Sequence, residues 1–360
     1  MTQVSIRPLW TIRQADGQTL PPRLLELLGQ VHATGSLSSA CGPLGLSYRH
    51  AWDLVRQGEA LFGTALLSMA RGKGSKLTPL GEKLVWADHR IAARLGPVLD
   101  SLASELALEI DRVLPSAGSV VLRLHASHGF AVEKLVEFLS REAVLVDRKY
   151  CSSTEAAAAL PDGACDVAGF HLPEGPLLPH LLAHYRRWLD PEQHQVVALA
   201  VRRQGLMVPP GNPKKLYDVA DLARPDVRFI NRQSGSGTRL LLEALLEQQG
   251  VPTEHISGFE QGEFTHAAVA AHVASGMADA GFGLETPARH FKLDFLPLAR
   301  ERYFLVCSRE TLASPAMQAA LTLLRSAHFR DTVNALPGYD ASAAGTVLPL
   351  REAFGAELFV

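Results

Sequence analysis

The sequence contains few cysteines and no long hydrophobic run. None of its four cysteines belongs to a CxxC pair or to a ladder of zinc-finger spacing, so we expect reduced, buried thiols. They are Cys41, Cys151, Cys165 and Cys307. No uncharged apolar run of 18 residues occurs, and the first fourteen residues lack the apolar stretch of a secretory signal. These absences predict a cytoplasmic protein with no membrane partner.

Sequence motifs of the common enzyme classes are also missing. The chain has no GxSxG nucleophile elbow, no HExxH zinc motif, no Walker loop and no GxGxxG dinucleotide turn. Its histidines and glutamates show no catalytic spacing either. We therefore predict a protein that is not an enzyme and that uses no cofactor and no metal.

Charge is distributed unevenly along a chain whose formal net charge is only −2. Residues 1–80 contain eight Lys or Arg against four Asp or Glu, which gives this segment a net charge of +4. A basic segment on a near-neutral chain favours a nucleic-acid partner. With 360 residues, 47% of them hydrophobic and 20% charged, the chain is long enough for two or three domains with their own cores.

The pattern of helices and strands divides the chain into three predicted parts. Residues 1–80 form a basic domain, residues 81–114 a long helix, and residues 115–360 a larger α/β region. The boundary lies at residues 114–119, where Pro, Gly and Ser precede the apolar run 120–122. Beyond it, strand-like runs alternate with helical runs, which is typical of a largely parallel sheet with helices on both faces.

Helical spacing and turn residues in the basic domain predict a helix-turn-helix. Leucines and a valine recur at helical spacing over residues 24–31 and stop before Gly35. Ser36 then begins a short second helix, residues 42–45 (Gly-Pro-Leu-Gly) form a turn, and a third helix opens at residues 46–52. In a helix-turn-helix, the helix after the turn reads the DNA major groove.

A basic hairpin is predicted directly after these helices. Residues 65–69 and 76–78 are strand-like, and the segment between them is rich in Gly, Lys and Arg. Flexible cations at a hairpin tip suit phosphate contacts, as in the wing of a winged helix. The alternative is an ordinary solvated turn. The residues predicted to contact DNA are Ser36, Ser38, Ser47, Tyr48, Arg49, His50, Arg71, Lys73 and Lys76.

Four stretches of residues 20–95 closely resemble the DNA-binding domain of the molybdate-responsive ModE regulators, within the LysR-like winged-helix class. They are residues 35–38 (GSLS), 46–53 (LSYRHAWD), 72–74 (GKG) and 77–81 (LTPLG). The resemblance implies an α+β head that binds a double-stranded operator. It also implies that the helix over residues 81–114 joins copies of the chain into a homodimer or tetramer. The alternative is a helix packed only within its own chain.

The region after residue 118 resembles the type 2 periplasmic-binding-protein fold, used as a cytoplasmic sensor. The resemblance is carried by five stretches: 165–172 (CDVAGFHL), 202–208 (RRQGLMV), 211–213 (GNP), 231–239 (NRQSGSGTR) and 278–283 (ADAGFG). It implies one lobe from residues 118–200 and 300–345 and a second lobe from residues 205–298. The small β-barrel repeats of the ModE molybdate-binding tail are missing, so the effector stays open.

A glycine-rich turn provides the strongest candidate for a ligand site. Residues 234–238 (SGSGT) follow a predicted strand and open a predicted helix, whose free N–H groups and dipole favour an anion. An ordinary capped turn has the same pattern. Arg232 and Arg239 either flank the anion or neutralise Glu243 and its neighbours. The predicted ligand-contacting residues are Ser127, His128, Ser153, Thr154, His171, Ser234, Gly235, Ser236, Gly237, Thr238, Thr265, His266, Phe282 and Gly283.

Together these features predict a one-component transcriptional regulator whose DNA binding changes when a small oxyanion enters the C-terminal cleft. The resemblance of the head implies molybdate or tungstate. Formate is the second candidate, since a small carboxylate suits the same donors. The regulated genes would serve molybdenum, tungsten or formate dehydrogenase chemistry. The alternative is an enzyme or accessory protein of molybdenum-cofactor metabolism that uses the same cleft.

Overall fold

The computed structural model describes residues 4–70, 74–113, 121–142 and 144–359. These residues form two compact units. One unit comprises residues 7–95. The other comprises residues 4–6 and the described residues from 96 onward. Within the described chain, no helix combines the length and the apolar character needed to cross a membrane.

The unit of residues 7–95 is a three-helix cluster followed by a hairpin. Its core is made mainly of leucines, among them Leu24, Leu28 and Leu54. Strands β1 and β2 pair antiparallel, as the predicted wing requires. The elements are α1 (Leu24–Thr34), α2 (Leu37–Leu44), α3 (Tyr48–Phe62), β1 (Leu67–Ala70), β2 (Gly74–Leu77) and the start of α4 (Pro79–Val113).

Serine caps and left-handed glycines set the bounds of these helices. The Ser36 hydroxyl accepts a hydrogen bond from the Ser39 N–H, and the Ser47 hydroxyl accepts one from the His50 N–H. Gly35 ends α1 and Gly45 ends α2 with φ of 72° and 61°. The predicted turn at residues 42–45 is therefore wrong except at its last residue, because α2 continues through Pro43.

Helix α4 is 35 residues long and runs unbroken through Gly96 and Pro97. The Gly96-Pro97 pair predicts a bend or a break in this helix. No break occurs, since the missing N–H of a proline removes only one hydrogen bond from a helix with many turns. An apolar stripe runs along the second half of the helix. Its side chains are between 39% and 82% exposed, and they are Leu95, Val98, Leu102, Leu106, Ile110 and Val113.

The second unit alternates strands and helices along most of its length. Its strands are β3 (Val121–Ala126), β4 (Leu145–Tyr150), β5 (Val167–Pro173), β6 (His194–Val208), β7 (Phe229–Arg232), β8 (Gly262–Glu263), β9 (Ala280–Leu284), β10 (Asp294–Ser308), β11 (Tyr339–Asp340) and β12 (Val347–Pro349). Its helices are the end of α4 and α5 (Phe130–Arg141), α6 (Ser153–Ala158), α7 (Leu178–Leu182), α8 (Gly237–Gln248), α9 (His266–Ala274), α10 (Glu285–His290), α11 (Arg309–Ala313), α12 (Pro315–Arg325), α13 (Ala327–Asn334) and α14 (Leu350–Phe354). Short 3₁₀ turns occupy Arg186–Trp188, Val219–Ala223, Thr253–His255 and Ala356–Phe359.

One sheet connects two lobes. Its strand order is β4-β3-β5-β10-β6-β9-β7-β8, with β11 and β12 also paired to β6. Strands β3–β5 form the first lobe and β7–β9 the second. Within each lobe the neighbouring strands are parallel where they pair directly. The two-lobed α/β fold and the winged helix are thus as predicted.

The sheet is mixed, however, and not largely parallel. Strands β6 and β10 are 15 residues each, cross from one lobe to the other, and pair antiparallel with each other. Strand β10 is also antiparallel to β5, and β6 to β9. Because the chain crosses between the lobes twice, once in each direction, the two crossing strands run opposite ways. This arrangement brings the carboxyl ends of β3, β4 and β7 to one cavity.

Candidate functional site

A small cavity lies where strands of the two lobes end. Its volume is about 10 Å³, roughly the room for one water molecule. Ligands of open α/β sheets bind at such strand ends. The lining residues are Ser127, His128, Cys151, Ser152, His171, Arg232, Gln233, Ser236, Gly237, Phe264 and His266.

Helix caps position the residues that line this cavity. Ser152 caps α6 in a capping box with Glu155, and Ser236 caps α8 by accepting a hydrogen bond from the Arg239 N–H at 3.2 Å. Gly237, the first residue of α8, lies against the His171 ring. A Cβ at that position would be 2.7 Å from the His171 Cε1. Glycine is therefore required for the helix to start against His171.

Arg232 brings a buried positive charge to the cavity. Its side chain is 5% exposed; Nε donates to the Glu263 carbonyl at 3.2 Å and Nη2 donates to the Phe264 carbonyl at 2.7 Å. Nη1 donates to no acceptor among the described residues, and none of their carboxylates lies within ion-pair distance. Burial, helped by the charge of Arg202, lowers the pKa of Arg232 to about 9. The guanidinium is thus still charged at neutral pH.

A second buried arginine, Arg202, in contrast has a carboxylate partner, although its Nη1 and Nη2 are buried without a hydrogen-bond acceptor among the described residues. The Glu301 carboxylate accepts hydrogen bonds from Arg202 Nε and from Gln204 Nε2, and its other oxygen lies 2.7 Å from His171 Nδ1. Burial alone would raise the pKa of Glu301, but Arg202 and His171 hold it at about 2. Arg202 and Glu301 neutralise one another, so the charge of Arg232 remains uncompensated.

Two of the three histidines of the cavity, His171 and His266, are neutral at physiological pH, and the third, His128, lies against the Glu133 carboxylate. Burial lowers the pKa of His171, and it lowers that of His266 further because the cations Arg232 and Arg202 are close. His266 Nδ1 is buried without a hydrogen-bond partner and lies near Gly283. A neutral imidazole can donate one hydrogen bond and accept one, so these rings add polarity without adding charge.

The structure brings together six of the residues predicted to contact ligand: Ser127, His128, His171, Ser236, Gly237 and His266. The other eight lie outside the lining. Ser234 and Gly235 form the turn before α8, Ser153 and Thr154 begin α6, and Thr265 caps α9. Thr238 accepts a hydrogen bond from Gln204 at 2.9 Å.

Phe282 and Gly283 do not form the cavity floor. Phe282 is fully buried in the hydrophobic core, and Gly283 packs behind His266, where a Cβ would lie 2.7 Å from Nδ1. Strand β9 is buried along its whole length, so both of its faces contact protein. A strand covered on both faces and a strand that lines a cleft have the same apolar sequence pattern, so the sequence could not distinguish them.

Arg232 and Arg239 differ in their surroundings. Arg239 pairs with Glu243 and with Glu260, both at 2.9 Å, and so belongs to a structural ion-pair cluster. Arg232 lines the cavity. Ser152, which the sequence predicts at the cleft together with Ser153 and Thr154, lines the cavity. Cys151, Gln233 and Phe264 also line it and were not among the predicted ligand-contacting residues.

The predicted DNA-contacting residues lie on the surface of the first unit. Ser38, Ser47, Tyr48, Arg49, His50 and Lys76 are exposed, and Ser36 is half-buried as the cap of α2. Tyr48 is 46% exposed although it is aromatic. Arg49 and Lys76 pair with no carboxylate of the described residues. Arg71 and Lys73 lie outside the described residues.

Comparisons with known proteins match both units. The family model of the PBP superfamily domain matches residues 136–325, more than half of the chain. The uncharacterized protein YvgK of Bacillus subtilis is 32% identical over 201 residues, 56% of this chain and 65% of that protein. The chain thus spans just under two thirds of that relative's length.

Two regulators are also similar to the chain. The HTH-type transcriptional regulator CbbR of Xanthobacter flavus is 26% identical over 331 residues, which is 88% of each chain. The transcriptional regulator ModE of Yersinia pestis is 30% identical over 113 residues, which is 30% of this chain and 43% of that protein.

Acid should destabilise the second unit through its buried histidines. His171 and His266 are neutral in the native state and gain protons only on unfolding, where the pKa is near 6.5. The unfolded state then binds more protons, so the free energy of unfolding falls as pH decreases below about 6.5. Glu301, with its depressed pKa, adds a loss in the same direction at still lower pH.

The measurement is the free energy of unfolding of the full chain by denaturant between neutral pH and pH 5. The variant His266→Gln should reduce the slope at pH 5 by about 1.4 kcal/mol per pH unit, the contribution of one proton. The exposed His255→Gln is the matched control and should leave the slope unchanged. A wild-type slope in His266→Gln would contradict the assignment of a neutral, buried His266.

Proposed function

Because the chain belongs to the PBP superfamily, we propose that it is a transcriptional regulator whose second unit binds a small anion and whose first unit binds DNA. Similarity to CbbR along 88% of both chains supports the regulator class. The exposed first turn of α3 and the hairpin supply surfaces suited to a major groove and to phosphates. Anion binding in the cavity would change the affinity for the operator.

The observation that carries the anion proposal is the unpaired Arg232. A buried cation without a counter-charge costs free energy, and a bound anion removes that cost while leaving the Arg202–Glu301 pair intact. Ser152 and Ser236 line the same space, and their hydroxyls, which accept hydrogen bonds from backbone N–H groups, can each donate to an oxygen of a ligand. The α8 N-terminus next to Ser236 adds N–H donors and a favourable dipole.

Two kinds of anion suit this set of donors, a tetrahedral oxyanion and a small carboxylate. Molybdate or tungstate is supported by the similarity to ModE regulators, and the hydroxyl donors suit a tetrahedral oxyanion. Formate is supported by the small volume, since a ligand of three heavy atoms needs less opening of the lobes than a tetrahedral anion. The genes under control would then serve molybdenum, tungsten or formate dehydrogenase metabolism.

An enzymatic role for the same cavity has no comparable support. Cys151 is the cysteine of the lining, and burial raises the pKa of its thiol to about 12. A thiol that stays protonated at neutral pH is a poor nucleophile. We therefore propose that this cavity binds a ligand and does not catalyse a reaction.

Anion binding should stabilise the native chain, and Arg232 should be required for it. We expect molybdate, tungstate or formate, in thermal-shift titrations alongside sulfate and phosphate, to stabilise the wild type by about 2.7 kcal/mol at a hundredfold excess over Kd. Arg232→Gln should abolish the shift. Arg239→Gln, which removes a buried arginine paired elsewhere, should retain it. A full shift in Arg232→Gln would contradict the site.

DNA binding should weaken steeply with salt because phosphate contacts release counterions. In gel shifts with a duplex selected from random sequence by the protein, Arg49→Ala and Lys76→Ala should weaken binding. If these residues contact phosphates, each should lower the slope of log affinity against log salt by about 1. Lys292→Ala, an exposed lysine of the second unit, is the control. Unchanged affinity in both head variants would contradict this surface.

The apolar stripe of α4 is the proposed self-association surface. Its members follow helical spacing of three and four residues, and the opposite face of the helix is covered by its own unit, where Ala103 and Leu108 are buried. A second copy of the same helix is the occupant that matches such a stripe residue for residue. The second half of α4 would then join two chains into a dimer or, with further contacts, a tetramer.

Negative charges introduced into the apolar stripe of α4 should prevent self-association of the chain. We expect the double variant Leu102→Glu, Leu106→Glu to sediment as a monomer in analytical ultracentrifugation at concentrations where the wild type is a dimer or tetramer. Glu105→Gln changes an exposed neighbour of the stripe and should leave the mass unchanged. A wild-type mass in the double variant would exclude this helix face as the interface.

A further inference from the structure

Strand β4 is the edge strand of the first lobe, and helix α4 covers its open side. An edge strand exposes a row of unpaired N–H and C=O groups. Here two serines of α4 bond to that row. Ser104 Oγ donates to the Val146 carbonyl at 2.7 Å and accepts from the Arg148 N–H at 3.0 Å, and Ser101 Oγ accepts from the Tyr150 N–H at 3.0 Å.

The spacing of the two serines along α4 matches the spacing of their hydrogen-bond partners along β4. Ser101 and Ser104 are three residues apart and so lie on one face of the helix. Residues 146, 148 and 150 alternate along the strand, so their backbone groups point to the same edge. Arg148 adds a further link, since its guanidinium lies 3.1 Å from the Asp100 carboxylate and donates to the Asp100 carbonyl.

The same strand leads directly into the cavity. Tyr150 is the last residue of β4, Cys151 and Ser152 line the cavity, and the Cys151 N–H bonds to the Ala126 carbonyl at 3.0 Å. Only one residue, Cys151, lies between Tyr150, which bonds to Ser101, and Ser152. A displacement of Ser152 on ligand binding must either move α4 with it or break these bonds, since packed elements transmit shifts of this size.

We propose that Ser101 and Ser104 are positioning residues that couple the Ser152 wall of the anion cavity to α4, the helix that continues into the DNA-binding unit. This inference rests on the proposed function. The hydroxyls contact neither ligand nor DNA. They make the position of the helix depend on the position of the cavity wall, and they provide the differential contact that a binding-linked switch requires.

The experiment compares the full-length double variant Ser101→Ala, Ser104→Ala with the wild type. Anion affinity is measured by calorimetry with sodium molybdate and sodium formate, and DNA affinity by gel shift with and without each salt. Both separate affinities should stay within about twofold of wild type, whereas the ratio of DNA affinities with and without anion should fall to about 1. Ser101→Thr, Ser104→Thr, which keeps both hydroxyls, should restore the ratio. A wild-type ratio in the alanine variant would overturn the proposal.

Hydrogen exchange tests the link without any ligand. In the alanine variant, amide exchange of residues 151–156 should accelerate at least about tenfold over wild type, since the cavity wall loses its support. Ser140→Ala, which removes an exposed hydroxyl of α5, should leave exchange there unchanged. Acceleration confined to residues 146–150 would mean that the serines only cap a sheet edge, and would overturn the inference. If no anion binds to the wild type, the proposed function fails, and this exchange pattern alone decides the coupling.

Discussion

A buried guanidinium requires a negative partner, and Arg232 has none within the described chain. Its neighbour Arg202 is neutralised by Glu301, and two cavity histidines, His171 and His266, stay uncharged because burial lowers their pKa values, while His128 lies against the Glu133 carboxylate. Arg232 is therefore the arginine of the lining that has no carboxylate partner among the described residues. An isolated buried charge costs several kcal/mol even after relaxation, and this cost is the physical basis of the proposed anion site.

The fold explains how binding at this point could reach the DNA. The cavity is lined from both lobes, by Ser127 and Ser152 from one and by Arg232 and Ser236 from the other, and β6 and β10 are the crossing strands between them. An anion that contacts both lobes stabilises their closed arrangement. Such a ligand changes DNA affinity only if the two arrangements place α4 differently, which its hydrogen bonds to β4 would allow.

Local features of the structure were predictable from sequence, and long-range ones were not. The serine caps at Ser36, Ser47 and Ser236 and the glycine turns follow from neighbours in the chain, so the helix starts of both units were found. The antiparallel direction of β6 and β10 depends on partners about a hundred residues apart. Arg239 has a carboxylate four residues away, whereas the isolation of Arg232 depends on how β7 and β8 pack. Pattern alone could not separate a buried strand such as β9 from a cleft wall.

The central claim is that an anion occupies the cavity in contact with Arg232. Crystals of the full chain grown with sodium molybdate, and separately with sodium formate, test it most directly. We expect density for one of these anions within about 3 Å of Arg232 Nη1 and of the Ser236 or Ser152 hydroxyl. Water alone in the cavity under both conditions, with anion bound elsewhere on the chain or nowhere, would contradict this claim.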